Sequence, residues 1–187
     1  VGSDGAQFDS FTRRQIEMFE AASECLQEAF QHKILRHICN TAGIERYPGA
    51  QFDMVRLGIG LYGIDPFTNQ IINNVSTLKT TILQIHEVPK EETVGYSRKG
   101  HLERDSRIAA IPIGYADGLN RRLGNGHAYC LVNGQKASYV GNICMDVCMI
   151  DVTDIDCKEG DKAILETIPY EILTSVSNRV KRVYYQN

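Results

Sequence analysis

The sequence lacks the signatures of several protein classes. Its longest apolar runs, such as Ile108 to Ile113, are far too short to span a bilayer. No secretory signal peptide opens the chain, and it contains no P-loop, no GxSxG motif and no Rossmann glycine fingerprint. These absences argue against a membrane protein, a P-loop nucleotide hydrolase, a serine hydrolase of the α/β type and a Rossmann dehydrogenase.

Metal and disulfide signatures are also missing. No CxxC pair occurs, and no two histidines have metal-ligand spacing, so the sequence predicts no metal site. Cys144 and Cys148 are too far apart along a strand to form a disulfide. We therefore expect reduced, buried thiols, as in a cytoplasmic protein. The cysteines are Cys25, Cys39, Cys130, Cys144, Cys148 and Cys157, and the histidines are His32, His37, His86, His101 and His127.

What is present is an ordinary globular composition. The 187 residues are 43% apolar and 23% charged, with a net charge of −3. A chain of this length forms one large or two small domains, and its weak charge predicts neither nucleic acid nor a membrane as a partner. It begins at Val1 without Met, so we expect its start to lie inside a domain.

The first third of the chain has an α/β pattern. Apolar residues from Phe11 to Phe30 recur at helical spacing, and Asp9 or Ser10 is expected to cap this helix. Short apolar segments at 32–40 and 54–63 predict two strands, separated by a turn or short helix that Pro48 interrupts. This order of helix, strand, loop and strand is typical of a parallel α/β array. We place the end of the α/β domain at residue 65, before the polar segment 66–74.

From Val75 onward, short alternating segments rich in Thr, Ile and Val predict strands with turns between them. Asn133-Gly134 stands between two such segments and predicts a type I′ hairpin. The fold class is therefore α/β for residues 1–65 followed by an all-β domain over 66–187, an antiparallel barrel or sandwich.

Arg56 is the first candidate for chemistry, because it lies in an otherwise apolar segment. It either sits at the end of a strand, exposed or paired with Asp53, or it points at a polar atom of a ligand. Gly58 and Gly60 follow it and would let a phosphate approach the backbone. Asn40 and Thr41 end the preceding predicted strand, which indicates either a ligand contact at a barrel edge or an ordinary turn.

Tyr96 is the second candidate, in the glycine-flanked basic segment VGYSRKG. Nearby cations such as Arg98 and Lys99 favour proton transfer by a phenol, although for the residue taken alone a packing role is the more common one. Tyr115 with Asp117 in GYADG, and Asp146 in GNICMDVCM, indicate either site residues or turn chemistry.

Together, these segments resemble one family. HICNTAGI, FDMVRLGIGLYGID, VGYSRKG, RIAAIPIGYADGLNRRLGNG and VNGQKASYVGNICMDVCMIDVTD are similar, in this order, to the second half of bacterial alanine racemases. The resemblance implies the last units of a (β/α)8 barrel that binds pyridoxal 5′-phosphate (PLP), up to about Asp65, followed by the family's β-domain. It also implies a racemase, an isomerase that interconverts L- and D-alanine by two-base proton transfer and supplies D-alanine for peptidoglycan in the bacterial cytoplasm.

The resemblance assigns roles by position. Arg56 matches the donor to the pyridine nitrogen of PLP. Tyr96 matches the catalytic base opposite a lysine. The phosphate cradle and its surroundings match Thr41, Gly58, Ile59, Asn40 and Asn178, the last standing where some members have a tyrosine. Met145 matches a contact to the substrate carboxylate, and Tyr115, Asp146 and Asp4 match the substrate access path.

The family's active site lies between the subunits of a homodimer, with the tyrosine of one protomer reaching the PLP of the other. Its PLP lysine and ring-stacking histidine have no counterpart here, so we expect these residues alone neither to racemise alanine nor to bind PLP tightly. The spacing between Ile164 and Thr167 is shorter than usual in the family. We also expect the barrel part to be rearranged or buried in an oligomer contact. The alternatives are a racemase of serine or of broad specificity, a barrel-type decarboxylase, and a non-catalytic β-barrel interaction module.

Overall fold

A computed structural model of the protein describes residues 5–165 and 174–185. The chain forms two compact units, Val1–Val75 and Ser76–Asn187. The predicted domain boundary at residue 65 lies before this division, because the backbone of Ile72 and Asn73 bonds back to Gly63. No helix among the described residues has the length and apolarity needed to cross a membrane.

The first unit opens with a short 3-10 turn at Ala6–Phe8 and the helix α1 at Asp9–Ala29. Asp9 begins this helix rather than capping it, and Phe8 occupies the cap position without a side-chain bond. The predicted cap is wrong because the Asp9 carboxylate accepts hydrogen bonds from Arg46 at 2.5 Å and Tyr47 at 2.8 Å. These two donors hold the pKa of Asp9 below its usual range, with the Tyr47 hydrogen bond as the largest cause.

The helix turns the stripe that runs from Thr12 through Phe19 to Ser23 toward its own unit, and the Phe19 ring centre lies 5.3 Å from that of Phe52. Thr12 and Ser23 are buried, whereas Phe11 is 62% exposed and Leu26 is 54% exposed. The predicted helix exists, but part of its apolar surface, which includes Phe11 and Leu26, is not covered by the described residues of this unit.

The two predicted strands of the first unit are not formed. Residues 33–40 and 54–58 have no regular secondary structure. Two backbone hydrogen bonds join the two stretches, from Asp53 to Arg36 at 3.1 Å and from Arg56 to Cys39 at 2.9 Å. A strand requires a continuous ladder with a neighbour, and these bonds do not make one. Between the segments lie α2 at Thr41–Arg46 and a 3-10 turn at Pro48–Ala50, as predicted. The end of the second segment, Ile59–Tyr62, is a 3-10 helix.

The second unit contains nine strands among its described residues. These are β1 (Leu78–Thr81), β2 (Gln84–Val88), β3 (Thr93–Val94), β4 (Gly100–His101), β5 (Ser106–Ile111), β6 (Tyr129–Val132), β7 (Gln135–Val140), β8 (Cys148–Asp151) and β9 (Lys162–Leu165). Seven of them form an antiparallel sheet in the order β1-β9-β6-β7-β8-β5-β2, and β3 pairs with β4. The predicted antiparallel β-domain is thereby confirmed.

The sheet curls until its two edge strands meet. β1 and β2 occupy opposite edges of the sheet order, yet only Ile82 and Leu83 separate them in the chain. The Ile82 N–H donates to Asp161 at 2.8 Å, and the Leu83 N–H donates to Ala110 at 2.8 Å. One bent stretch of chain therefore pairs with both ends of the sheet, β9 through β1 and β5 through β2.

The core lies inside this curled sheet. Alternate residues of each strand point inward, as Cys130 and Val132 of β6 and Ala137 and Tyr139 of β7 do, each at 1% exposure or less. The hairpin between them turns at Asn133 and Gly134 with φ of 50° and 78°, which confirms the predicted type I′ turn.

The cysteines are free thiols, and four of the six are buried, Cys39, Cys130, Cys148 and Cys157. Burial raises the pKa of Cys130 to about 12 and raises that of Cys148 as well. The core thiols are therefore held protonated and unreactive. Cys25 departs from the expectation of buried thiols, because it lies exposed on α1.

Candidate active site

The polar residues of the first unit gather around Thr41. Its hydroxyl accepts hydrogen bonds from the backbone N–H groups of Gly58 at 3.0 Å and Gly60 at 3.3 Å. A Cβ atom added at Gly60 would lie 2.6 Å from the Thr41 methyl group, so only glycine permits this approach. The side chain of Asn40 caps α2 by accepting from the Gly43 N–H at 3.0 Å.

Arg56 lies beside this cluster. Its guanidinium donates to the Ile38 carbonyl at 3.1 Å, and its backbone N–H donates to the Cys39 carbonyl at 2.9 Å. The pairing with Asp53 that the sequence left open is absent from the described residues, because Asp53 instead binds Lys33 at 2.6 Å and Arg36. An exposed guanidinium carries five N–H donors, and the bond to Ile38 uses one of them.

Tyr96 projects from a tight turn between β3 and β4. The turn begins at Gly95, with φ of 77°, and continues through Ser97 and Arg98 with φ of 59° and 54°. These left-handed conformations are uncommon for residues other than glycine. The Tyr96 side chain is 74% exposed, so it is held outward by its backbone and not by core packing. The Arg98 guanidinium donates to the Thr93 hydroxyl at 3.2 Å.

A groove of about 390 Å³ opens beside Tyr96. Three segments line it: the Tyr96 turn, the 3-10 turns after β5, and the segment that joins β7 to β8. The lining residues are Tyr96, Ser97, Tyr115, Arg121, Asn142, Ile143, Cys144, Met145, Asp146 and Val147. The second unit thus brings together four of the residues predicted from the sequence, Tyr96, Tyr115, Met145 and Asp146.

Backbone bonds fix the floor of this groove. The N–H groups of Tyr115 and Ala116 donate to the carbonyls of Cys144 and Met145, both at 3.0 Å. The Arg121 guanidinium lies 5.5 Å from the centre of the Tyr115 ring, which places a cation over an aromatic face. An aromatic ring, a cation and the exposed Met145 therefore all line the groove.

Arg179 connects the C-terminal segment to Asp146, one of the residues that line the groove. Its guanidinium binds Asp146 at 2.6 Å and Asp117 at 3.7 Å. The two carboxylates raise the pKa of Arg179, with the hydrogen bond to Asp146 as the largest cause. Asn178, the neighbouring predicted site residue, lies exposed in a turn of the same segment.

Sequence reasoning missed Arg121, Asn142 and Arg179. Arg121 occurs in GLNRRLGNG and Asn142 in GNICMD. Both segments are rich in turn-forming residues, so their polar side chains are read from the sequence as turn chemistry. Asp4 lies outside the described residues. The short spacing after Ile164 lies at their edge, since the description stops at residue 165 and resumes at residue 174. Among the described residues, no group of His, Cys, Asp and Glu could hold a metal ion.

Two family models match the chain. The N-terminal domain of alanine racemase matches residues 2–66, and the C-terminal domain of alanine racemase matches residues 75–166. Together they cover more than half of the chain. The chain belongs to the alanine racemase family.

Relatives and solved structures of this family agree over most of the chain. The alanine racemase of Clostridium novyi (strain NT) is 38% identical over 203 residues, covering 95% of this chain and 52% of that protein. The alanine racemase of Clostridium difficile 630 in complex with cycloserine superposes with a TM-score of 0.85 and 33% identity, covering 100% of this chain and 55% of that one. The alanine racemase of Bartonella henselae with covalently bound pyridoxal phosphate superposes with a TM-score of 0.81 and 34% identity, and the match covers 94% of this chain and 52% of that one.

The chain spans about half the length of the alanine racemases that it matches. The Thr41 and Arg56 cluster falls inside the match to the N-terminal domain, and the groove around Tyr96 falls inside the match to the C-terminal domain. Asn178 and Arg179 lie beyond both matches.

Proposed function

We propose that this chain is part of a PLP-dependent alanine racemase, an isomerase that interconverts L- and D-alanine by two-base proton transfer. The observation that carries the proposal is Tyr96. Its hydroxyl projects from a strained, glycine-based turn beside an open groove, where a packing residue would instead be buried. Membership of the family and a similar enzyme with covalently bound pyridoxal phosphate support the reaction class.

The Thr41 cluster fits the phosphate of PLP. Gly58 has open space where a Cβ would lie, with only the Thr41 hydroxyl at 3.8 Å, so an anion can approach the backbone closely there while the Gly58 N–H stays bonded to Thr41. Ile59 begins a 3-10 helix, and the first N–H of such a helix has no partner within it. Thr41, Gly58 and Ile59 would hold the phosphate, with Asn40 and Asn178 as further polar contacts.

Arg56 would donate to the pyridine nitrogen of PLP. An arginine side chain stays protonated in proteins, so this bond keeps the ring nitrogen free of a proton of its own. The bond from its guanidinium to Ile38 holds the side chain against the backbone of the same cluster. When bound, PLP withdraws electrons from the substrate Cα and makes its hydrogen removable.

Tyr96 moves a proton at the substrate Cα from one face, and a lysine outside these residues serves the opposite face. Met145 would bind the substrate carboxylate through its backbone, which the bonds from the Tyr115 turn hold in place. Tyr115 and Asp146 would form the access path.

A homodimer in which the Tyr96 of each protomer serves the PLP of its partner is the working state in this proposal. The first unit would supply the last units of a (β/α)8 barrel, so the exposed face of α1 with Phe11 and Leu26 would contact the remaining barrel. The D-alanine would enter peptidoglycan synthesis in a bacterial cytoplasm. These 187 residues alone would be inactive, because the lysine partner lies elsewhere.

The deciding experiment compares Tyr96→Phe with Tyr184→Phe in the complete natural protein that contains these residues. Tyr184 is 86% exposed and lies outside the groove, so it is a matched loss of one phenol. We expect Tyr96→Phe to lower kcat for L-alanine racemisation by roughly 10²- to 10⁴-fold with PLP still bound, whereas Tyr184→Phe keeps wild-type rates.

Full activity in Tyr96→Phe would overturn the two-base assignment and favour the non-catalytic module. Running the same assay with L-serine separates the alternatives within the racemases, because a serine or broad-specificity enzyme turns over L-serine at a rate comparable to that for L-alanine.

A further inference from the structure

Two asparagine side chains connect the Tyr96 turn to the rest of the β-domain. The Asn125 amide donates to the Asn142 side-chain oxygen at 3.1 Å, and the Asn142 amide donates to the Tyr96 backbone carbonyl at 3.3 Å. The two asparagines come from different loops, before β6 and after β7. They form a chain of two amides that ends on the residue carrying the hydroxyl.

We propose that Asn125 and Asn142 are positioning residues for Tyr96, acting as an amide relay that fixes the turn in its proton-transfer orientation. This role rests on the proposed function of Tyr96. Neither asparagine needs to touch the substrate, since the relay acts through the Tyr96 backbone.

The turn needs such a restraint because its backbone is strained. Ser97 and Arg98 are two consecutive residues with positive φ, a conformation that relaxes unless the surroundings impose it. The ring itself is 74% exposed and gains little from packing. A hydrogen bond to the Tyr96 carbonyl restrains the peptide unit between the catalytic residue and the first strained one.

Asn125 determines which way the Asn142 amide faces. An amide side chain has one accepting and one donating end, and rotation of its plane exchanges them. The Asn125 donor holds the oxygen of Asn142 toward itself, so the nitrogen must face Tyr96. Asn125 is itself fixed, because its N–H donates to the Gly141 carbonyl at 2.8 Å and its φ of 56° is left-handed.

Asn125→Asp is the sharpest test of this relay. The replacement has the same shape, but a carboxylate accepts hydrogen bonds and cannot donate. The Asn142 amide must then rotate to donate to Asp, which leaves its oxygen facing the Tyr96 carbonyl. The matched control is Asn133→Asp: Asn133 also precedes glycine, also has a left-handed φ of 50°, and also donates its amide, to Asp156 at 2.9 Å. It lies at the far end of β7, roughly 20 Å away by strand length.

In the complete natural protein loaded with PLP, we expect Asn125→Asp and Asn142→Ala each to lower kcat by roughly 10- to 100-fold, with KM for L-alanine unchanged. Asn133→Asp keeps the wild-type kcat. In the Asn142→Ala background, Asn125→Asp adds less than about a twofold change, because the relay is already broken. Additive losses in the double variant would overturn the relay.

Two further measurements distinguish positioning from general damage. The first measurement is the kinetic isotope effect on kcat with alanine deuterated at Cα, compared between the relay variants and the wild type. We expect this effect to be larger in the variants for one enantiomer only, because Tyr96 removes the proton from one face of Cα. If the variants only contained less folded enzyme, kcat would fall while the isotope effects for both enantiomers stayed at their wild-type values. That result would overturn the proposal. Without any turnover, trypsin cleavage after Arg98 and Lys99 is faster in Asn125→Asp than in Asn133→Asp, and equal rates would contradict the restraint.

The outcomes separate this inference from the proposed function. If Tyr96→Phe is fully active, the function of Tyr96 fails and the relay with it. If Tyr96→Phe is inactive while Asn125→Asp and Asn142→Ala retain wild-type kcat and protease resistance, the relay alone is refuted.

Discussion

Replacing Tyr139 by phenylalanine should stabilise the β-domain. The Tyr139 side chain lies on β7 at 1% exposure, and its hydroxyl has no hydrogen-bond partner among the described residues. Burying an unpaired hydroxyl costs about 1–3 kcal/mol, while each lost contact of the deleted oxygen costs only about 0.1–0.2 kcal/mol. Tyr139→Phe should therefore raise the unfolding free energy by about 1 kcal/mol, which corresponds to a Tm increase of roughly 4 °C for a unit of this size.

Differential scanning calorimetry of the complete protein measures this shift, with Tyr129→Phe on the neighbouring strand as the control. Tyr129 is only partly buried, and its ring stacks with Lys136 at 4.3 Å, so its hydroxyl carries no comparable penalty. A lower Tm in Tyr139→Phe would refute the reasoning, because it would mean that the hydroxyl has a stabilising partner such as a buried water.

The pH dependence of the unfolding free energy, compared between the wild type and Tyr139→Phe, adds a second check. Burial raises the pKa of Tyr139 well above its ordinary value of about 10. Below pH 10 the phenol is protonated in both the folded and the unfolded state, so it gives no slope. Above pH 10 the unfolded state loses the proton while the folded state keeps it, so wild-type stability falls. The advantage of Tyr139→Phe should grow by about 1 kcal/mol between pH 9 and pH 11.

Two further predictions concern the candidate site. Gly60→Ala should weaken PLP binding in the complete protein by roughly tenfold, because the new methyl group would lie 2.6 Å from the Thr41 side chain and displace its hydroxyl. Spectrophotometric titration with PLP measures this change. The control is Gly49→Ala, which has open space around its Cβ and should bind PLP as the wild type does. Arg179→Met should speed proteolysis of the C-terminal segment by roughly two- to fivefold because it loses both carboxylates, whereas Arg179→Lys should remain mostly protected; equal rates for the two variants would mean that charge is irrelevant there.

Local chemistry made the β-domain predictable. The Asn133-Gly134 turn depends on two residues that tolerate positive φ, and the alternation of strands such as Gln135–Val140 depends on burial of one face. Both signals lie within a few consecutive residues, so no knowledge of distant contacts was needed.

The first unit was harder because its predicted strands depend on neighbours. Apolar segments such as 32–40 have strand composition, but a parallel strand forms only when an adjacent strand completes its ladder. Instead of a strand ladder, two isolated backbone hydrogen bonds join this segment to Asp53 and Arg56. The cap was missed for a similar reason, since Asp9 binds Arg46, a residue 37 positions later.

The site residues divide along the same line. Tyr96, Arg56 and Thr41 lie in motifs from which the sequence predicts site roles, and those roles stay predictions. Asn142 contacts a residue 46 positions away, and Arg179 contacts Asp146 33 positions away. Such partners are selected by the fold alone, so no local pattern reveals them.

The strand register explains why the groove forms where it does. Ile111 at the end of β5 pairs with Cys148 at the start of β8, and Val140 at the end of β7 pairs with Met149 beside it. The loops that follow β5 and β7 therefore leave the sheet at the same end, whereas the Asn133 hairpin lies at the other. The interior is apolar with protonated thiols, and the residues that line the groove stand on these loops and on the Tyr96 turn. Loops are more mobile than the strands that they connect, and for this reason the role proposed for Tyr96 includes a restraint from the adjacent loop, the hydrogen bond from Asn142.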